Sequence, residues 1–162
     1  MLDFTLSDEQ KALVDTARRF TRERIIPVAA QCDRDARFPR GLFEAAHELG
    51  LVNATVPPEY GGAGLGELDN ALMAEQLAYG CTGIQTSLLA NTLALTPVKL
   101  AGNEEQKKKY LGMLTAGPLF ASYCTTEPSG GSDVAGLRTT FTQHGDDYVL
   151  NGEKSWITNA SF

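Results

Sequence analysis

Two short segments contain the residues with the clearest chemical potential. Residues 123–133 read Tyr-Cys-Thr-Thr-Glu-Pro-Ser-Gly-Gly-Ser-Asp, and residues 155–158 read Ser-Trp-Ile-Thr. The first segment combines hydroxyl groups with flexible main-chain N–H groups, which can hydrogen-bond a pyrophosphate or the polar edge of a flavin ring. The second adds an indole and a further hydroxyl. Together they predict a binding surface for a large, flat ligand with polar edges.

The first segment does not match the common phosphate-binding fingerprints. No Gly-Lys-Ser/Thr follows it, as a Walker loop requires, and its glycines lack the G-x-G-x-x-G spacing that opens a helix in dinucleotide-binding folds. A Gly/Ser bend between two strands is commonly a simple turn. That interpretation therefore stays open beside the functional one.

The second segment contains Trp156, the only tryptophan of the chain. The dipeptide Asn151-Gly152 between strand-like stretches predicts a hairpin whose second strand covers residues 153–158. Side chains alternate along a strand, so Trp156 and Thr158 are expected on one face, aimed at one ligand. The alternatives are a tryptophan of the core and a solvated strand threonine.

Other candidate groups are weaker. Glu127, beside the bend, and Glu75, in an apolar helix, have no partner that the sequence identifies, and Glu59-Tyr60 is equally well explained as loop punctuation. No Ser/His/Asp set or paired-carboxylate site can be located, and the two histidines lack metal-ligand spacing. The three cysteines, Cys32, Cys81 and Cys124, are far apart and odd in number, which predicts reduced, buried thiols in an intracellular protein.

Composition limits the class of protein. With 162 residues, 43% of them apolar and 21% charged, the chain is predicted to be globular with a real core. The net charge of −6 argues against general affinity for nucleic acid or anionic membranes, although a few N–H groups suffice for an anionic ligand. We expect no membrane span, and the N-terminal six residues are not typical of a signal peptide.

The first two-thirds of the chain predicts helices. Ser7 and Gln10 form a capping-box pattern ahead of an apolar stripe, and Pro27 is expected to kink or restart the helix. A second helix is predicted to open at Phe38-Pro39 and to end at Gly50. Its inward residues would be Leu42, Phe43, Ala46 and Leu49, while the first stripe is Leu13, Val14, Ala17 and Phe20. Further helices are predicted at residues 67–79, 82–100 and 104–116, after a loop at 56–64.

After Pro118 the pattern changes to strands. Residues 119–125 and 137–143 have strand character, and a turn is predicted at 144–147. The fold class is therefore α+β: an all-α domain at 1–118, followed by the opening strands of an incomplete β domain at 119–162. So few strands leave an open sheet edge, which favours a fragment or a chain that depends on a partner.

With these motifs, the sequence resembles the acyl-CoA dehydrogenase family, and most closely its medium-chain enzymes. The resemblance covers essentially the whole chain in the family's order. The matching segments are residues 25–30, 48–51, 58–62, 78–83, 101–112, 123–136 and 151–159.

The resemblance implies a fold and a reaction. Family members have an N-terminal helical domain, a middle β domain and a C-terminal helical domain, and they are usually homotetramers that bind FAD. They oxidise fatty acyl-CoA to trans-2-enoyl-CoA in fatty acid β-oxidation. A glutamate removes the α proton, the β hydrogen passes as hydride to the flavin, and electron transfer flavoprotein reoxidises it. The implied compartment is the mitochondrial matrix in a eukaryote and the cytoplasm in a bacterium.

The resemblance also assigns roles to residues of this chain. The bend would approach FAD, and Ser132 would also contact the acyl-CoA substrate. Trp156 would pack on the isoalloxazine ring, and Thr158 would offer its hydroxyl to the N5 region. The full set of implied FAD-binding residues is Tyr123, Thr125, Thr126, Gly131, Ser132, Trp156, Ile157 and Thr158.

Three departures from the family pattern matter. Ser129 stands where the family carries glycine, so we expect strain there if the position needs a positive φ, whereas Gly130 in place of alanine adds freedom. Leu89 replaces a carboxylate near the base of the acyl pocket, which argues against a medium-chain preference. The family's second half, with the catalytic glutamate, is missing, so no catalytic residue is assigned and the chain alone is expected to be inactive. The alternatives are a non-catalytic truncated homologue that acts as a binding or assembly partner, and a relative of the acyl-CoA oxidases.

Overall fold

A computed structural model describes residues 5–162; the first four residues of the N-terminal segment discussed above lie outside the described residues. The described part begins with helices and ends with a two-stranded antiparallel sheet, as the α+β prediction requires. The helices are α1 (Asp8–Phe20), α2 (Ile26–Arg34), α3 (Arg40–Glu48), α4 (Glu67–Gly80), α5 (Thr82–Ala101) and α6 (Glu104–Ala116). The strands are β1 (Thr140–His144) and β2 (Asp147–Asn151).

The capping box predicted at the start of α1 is present, and the structure shows a second one at the start of α6. At the start of α1, the main-chain N–H of Gln10 donates to Ser7 Oγ (3.2 Å), and the Ser7 N–H donates to Gln10 Oε1 (3.0 Å). Asn103 and Gln106 make the same reciprocal pair at α6. Each box satisfies donors that a helix N-terminus otherwise leaves unpaired, so these helices begin where the sequence predicts.

The break predicted at Pro27 takes the form of a wider helical turn. A π-helical turn spans Thr21–Ile25 and runs directly into α2. Proline has no main-chain N–H and its ring crowds the preceding turn, so the helix widens just before it and then continues. Helix α2 begins at Ile26 and ends at Arg34.

Helix α3 confirms most of its prediction and corrects one residue. Leu42, Phe43 and Ala46 are buried, but Leu49 is 47% exposed. The reason is the helix end: the Leu51 N–H bonds to Ala46 O and the Gly50 N–H to His47 O, with Gly50 at φ 70°. This pattern of two bonds places Leu49 at the cap, beyond the last inward-facing turn.

The core lies between the helices. One cluster joins α1, α3, α4 and α5, and its large buried members include Phe43, Met73, Leu77 and Leu88. A second, smaller cluster joins the loop after α3 to α5 and α6 through Val56, Leu95, Leu111 and Leu114. That loop contains a 3₁₀ turn at Pro58–Tyr60, and the Thr115 hydroxyl donates to Tyr60 O (2.6 Å) to hold it on α6.

The strand predicted at residues 119–125 is wrong: this segment has irregular structure and pairs with no strand of the described chain. Two of its main-chain groups bond instead to one side chain: the Ala121 N–H donates to Asn91 Oδ1 (2.7 Å), and Leu119 O accepts from Asn91 Nδ2 (2.9 Å). A side chain of α5 thus occupies the place that a neighbouring strand would take.

The hairpin exists, but not at Asn151-Gly152. β1 pairs with β2 so that Thr140 faces Asn151 and His144 faces Asp147. The turn between them contains Gly145 at φ 63°, whereas Gly152 follows the last residue of β2. The turn predicted at 144–147 therefore closes the hairpin, and the second strand predicted at residues 153–158 does not form.

Candidate functional site

The Gly/Ser bend is closed by a pair of main-chain hydrogen bonds. The Glu127 N–H donates to Gly130 O (3.1 Å), and the Gly130 N–H donates to Glu127 O (3.0 Å). Pro128 and Ser129 occupy the two corner positions, and proline suits the first of these because its φ is already set. The unusual φ of 155° falls on Gly130 and not on Ser129. The strain that we expected at Ser129 is therefore absent.

The Glu127 carboxylate joins three separate stretches of chain, so its partners, which the sequence did not identify, are now clear. The residue is only 5% exposed. Its carboxylate accepts from the main-chain N–H groups of Arg138 (2.7 Å) and Thr139 (2.8 Å) and from Lys154 Nζ (2.9 Å). Lys154 also donates to Thr125 O (3.0 Å).

The electrostatics of Glu127 follow from these donors. The pKa of Glu127 is lowered to about 2 by the Thr139 hydroxyl, by the main-chain N–H groups of Arg138 and Thr139, and by the Lys154 ammonium. Each donor favours the charged form of the carboxylate, and their sum exceeds the opposing effect of desolvation. Glu127 is therefore an ionised anchor at neutral pH and has no spare proton for general acid chemistry. The sequence features that could have indicated this anchor are a glutamate inside the bend and a lysine two residues before the tryptophan.

Trp156 lies on the surface in a left-handed conformation. Its φ is 60°, and 93% of its surface is exposed. The preceding residue is tied to the bend, because the Ser155 N–H donates to Thr126 O (2.9 Å). A bulky residue with positive φ is uncommon, and such strain persists only where the surrounding structure imposes it.

The prediction that Trp156 and Thr158 share one strand face is wrong. The positive φ at Trp156 interrupts the extended backbone, and a turn follows in which the Ala160 N–H bonds to Ile157 O (3.3 Å). Side-chain alternation therefore does not apply here. The side chains of Trp156 and Thr158 are nonetheless both exposed on the loop formed by residues 155–158.

Two side chains hold this loop from its C-terminal side. The Ser122 hydroxyl donates to Thr158 O (2.9 Å), and Asn159 Nδ2 donates to Ser87 O of α5 (2.9 Å). Asn159 is 7% exposed and has φ 65°, a conformation that asparagine tolerates better than most residues. The loop is thereby fixed both to the bend segment and to the helical core.

The predicted site residues fall on one extended segment and one loop that bond to each other. Gly131 lies against Thr126, since a Cβ on this glycine would come within 3.1 Å of Thr126 Oγ1. All eight are accessible: Tyr123, Ser132, Trp156 and Thr158 are exposed, and Thr125, Thr126, Gly131 and Ile157 are half-buried. The structure thus joins the bend to the tryptophan loop through Thr125, Thr126 and their partners.

The residues of this surface fit a planar, polar-edged group. An exposed indole held in a fixed conformation can pack on an aromatic ring, and the hydroxyls of the threonines and Ser132 can hydrogen-bond its edge. No group of three or more His, Cys, Asp and Glu side chains within residues 5–162 could hold a metal ion. The prediction that the cysteines are buried is wrong, because Cys124 is exposed and Cys32 and Cys81 are half-buried. Across the same residues, no helix has the length and apolar character needed to cross a bilayer.

Comparison with known proteins places the chain in a family. Its sequence matches the family models "Acyl-CoA dehydrogenase, N-terminal domain" over residues 7–118 and "Acyl-CoA dehydrogenase, middle domain" over residues 122–162. Helices α1 to α6 fall within the first match, and the β1–β2 hairpin falls within the second. The chain belongs to the acyl-CoA dehydrogenase family, whose members are flavin-dependent oxidoreductases.

Individual relatives agree with this assignment. The probable medium-chain specific acyl-CoA dehydrogenase 2, mitochondrial, of Caenorhabditis briggsae is 48% identical over 97% of this chain and 38% of its own length. An acyl-CoA dehydrogenase from Bacillus anthracis, solved as a complex with FAD, is 39% identical with a TM-score of 0.85 over 100% of this chain and 28% of that chain. Butyryl-CoA dehydrogenase from Megasphaera elsdenii is 32% identical with a TM-score of 0.90 over 99% of this chain and 43% of that chain. The chain thus spans well under half the length of these proteins.

Proposed function

We propose that this chain supplies part of the FAD and acyl-CoA site of an enzyme that oxidises fatty acyl-CoA to trans-2-enoyl-CoA. FAD, when bound, would supply the hydride acceptor for the β hydrogen of the thioester. The observation that supports this most directly is Trp156, exposed to 93% yet held in a left-handed conformation by bonds on both sides. An exposed indole whose backbone is held in one conformation offers a flat face on which an aromatic ring can stack.

The other residues would act around that ring. Trp156 and Ile157 would contact its face, while Thr158 would offer its hydroxyl at the N5 edge, where a donor stabilises negative charge on reduction. Tyr123, Thr125, Thr126, Gly131 and Ser132 would complete the contacts to FAD, and Ser132 would reach the thioester. Glu127 and Lys154 would hold these residues in place without contacting the ligand.

The proton-abstracting base and the remaining FAD contacts would lie outside this chain, in the part of the family's length that it does not span. We place the domain boundary near Pro118, and we infer a homotetramer and electron transfer flavoprotein as partners of the full-length enzyme. Medium-chain acyl-CoA would be the first substrate to assay. The compartment of the full-length enzyme would be the mitochondrial matrix in a eukaryote or the cytoplasm in a bacterium. The chain on its own would be inactive.

The cofactor part of the proposal can be tested on the chain as it stands. Because Trp156 is the only tryptophan, its fluorescence lifetime reports on the surroundings of this one residue. We expect FAD and lumiflavin to shorten the lifetime saturably, and ADP, which lacks the ring, to leave it unchanged. Affinity would be weak enough that gel filtration removes the flavin. If excess FAD shortens the lifetime no more than ADP does, the proposed ring site is incorrect.

The catalytic part needs a separate assay. The purified chain with excess FAD would be incubated with octanoyl-CoA and an electron-accepting dye, against a heat-killed control. We expect no turnover, because no residue of the described site can take the α proton: Glu127 is buried and fully bonded. Turnover above the control would contradict the absence of a base from this chain.

A further inference from the structure

The loop that carries Trp156 has no strand partner to hold it. Strand β2 ends at Asn151, and the structure assigns the residues after it to irregular chain, a bend and a turn. In a sheet, ladder hydrogen bonds would fix the direction of a side chain. Here that direction depends on individual bonds made by the residues on either side of Trp156.

On the N-terminal side, the bond comes from the main chain. The Ser155 N–H donates to Thr126 O, and the preceding residue, Lys154, bonds to Thr125 O and to the Glu127 carboxylate. These bonds tie the loop to the bend. They leave the other end of the loop free to rotate about Trp156.

On the C-terminal side, Asn159 supplies a bond to the helical core. Its Nδ2 donates to the carbonyl oxygen of Ser87, 72 residues away in α5. Ser87 adjoins Leu88, which is completely buried in the main core cluster, so the acceptor lies on a rigid helix. Asn159 is itself buried. Its φ lies in the left-handed region, and so does the φ of Trp156 three residues earlier.

We propose that Asn159 is a positioning residue, which fixes the indole of Trp156 and the hydroxyl of Thr158 for the flavin ring by bonding the loop to α5. The inference rests on the proposed function for its purpose, but the geometry that carries it is independent of any ligand. The Ser155 N–H bonded to Thr126 O fixes the N-terminal end of the loop, and the Asn159 amide bonded to Ser87 O and the Ser122 hydroxyl bonded to Thr158 O fix its C-terminal end. Removal of the amide should therefore mobilise Trp156 while the helices stay folded.

The primary test uses time-resolved fluorescence anisotropy of Trp156 in the flavin-free chain. Asn159→Gly keeps the left-handed conformation without a donor. Asn159→Asp keeps the shape but places a carboxylate oxygen opposite Ser87 O. We expect both variants to gain a larger nanosecond component of depolarisation than the wild type, with unchanged helical circular dichroism. Asn151→Asp, the same change at an exposed asparagine eight positions earlier, should match the wild type.

A second variant tests whether the mobility gained in Asn159→Gly comes only from a folding defect at that buried position. Ser122→Ala removes the other anchor, the bond to Thr158 O, at a half-buried position. It should also increase the mobility of Trp156, by less than Asn159→Gly does. Wild-type anisotropy in both Asn159→Gly and Ser122→Ala would overturn the proposal. So would a mobility that rises only in parallel with global unfolding.

A flavin titration separates this inference from the proposed function. If FAD shortens the Trp156 lifetime in the wild type, Asn159→Gly should require about tenfold more FAD, the factor expected for one lost hydrogen bond. Equal FAD affinity in the two proteins would overturn the positioning role. If the wild type itself fails to respond to FAD, the proposed function fails, and the anisotropy result decides on Asn159 by itself.

Discussion

Asn91 in α5 offers the sharpest test of how the helical part holds the start of the site segment. The residue is completely buried. Its Nδ2 donates to Asn53 Oδ1 (3.1 Å) and to Leu119 O (2.9 Å), and its Oδ1 accepts from the Ala121 N–H (2.7 Å). Asn53 in turn donates to Leu114 O (2.6 Å). One side chain therefore satisfies three polar groups at a point where no strand is available.

The change Asn91→Leu keeps the size of the side chain and removes all three bonds. It leaves Asn53 Oδ1, Leu119 O and the Ala121 N–H without their partner. At about 1 kcal/mol net for each bond, the free energy of unfolding should fall by about 3 kcal/mol, and by up to roughly 5 kcal/mol if the three groups stay dry. The gain from an apolar side chain is smaller, because its new neighbours are polar.

Urea unfolding followed by helical circular dichroism measures this loss, with Thr96→Ala as the matched control. Thr96 lies on the same helix and is exposed, and its hydroxyl bonds only to Thr92 O of its own helix. The control should change stability by no more than about 0.5 kcal/mol. Proteolysis between residues 117 and 123 should quicken in Asn91→Leu alone. A loss below about 1 kcal/mol, with an unchanged m-value, would refute the assigned role of Asn91.

Two further predictions concern the bend and the loop after α3. Because the pKa of Glu127 falls from 4.5 to about 2 on folding, its carboxylate stabilises the protein above pH 4.5, and that stability is lost as pH falls toward 2. Glu127→Gln should lower the melting temperature at neutral pH and flatten this acid dependence, whereas an unchanged acid profile would contradict the role of the carboxylate. Gly62→Ala should cost about 3 kcal/mol in urea unfolding, since its Cβ would overlap Val56 O, and Gly50→Ala only about 1 kcal/mol, since its Cβ would meet nothing at φ 70°. Equal losses would count against the close approach at Gly62.

The helices could be predicted because their signals are local. Each capping box consists of residues three apart, such as Ser7 with Gln10, and α6 covers the predicted residues 104–116. The apolar stripes on α1 and α3 needed no knowledge of the neighbouring helices. Leu49 was misplaced because the apolar pattern continues one residue past the end of α3 at Glu48, to the cap residue just before Gly50, whose φ is positive.

The site segments were harder to predict because long-range bonds determine them. Strand propensity at residues 119–125 was real, but the nearest partner for its main chain was the side chain of Asn91, about thirty positions away. The hairpin turn forms at Gly145, which has the positive φ that the turn requires, and not at the predicted Asn151-Gly152. Nothing local indicates that Trp156 would adopt a positive φ, because that follows from the bonds at Ser155 and Asn159.

The candidate site is therefore held by polar side chains that bond to main-chain groups, and this decides which residues matter. A strand ladder spreads the cost of one lost bond over many others, whereas here Glu127 and Asn159 each hold a stretch that has few other anchors. Neither residue needs to contact a ligand to affect binding, because a small displacement of Trp156 changes the surface that a ring would meet. Substitutions at these two buried residues should thus weaken flavin binding as strongly as the loss of a direct contact at Thr158, while substitutions on the exposed hairpin at Asn151 should not.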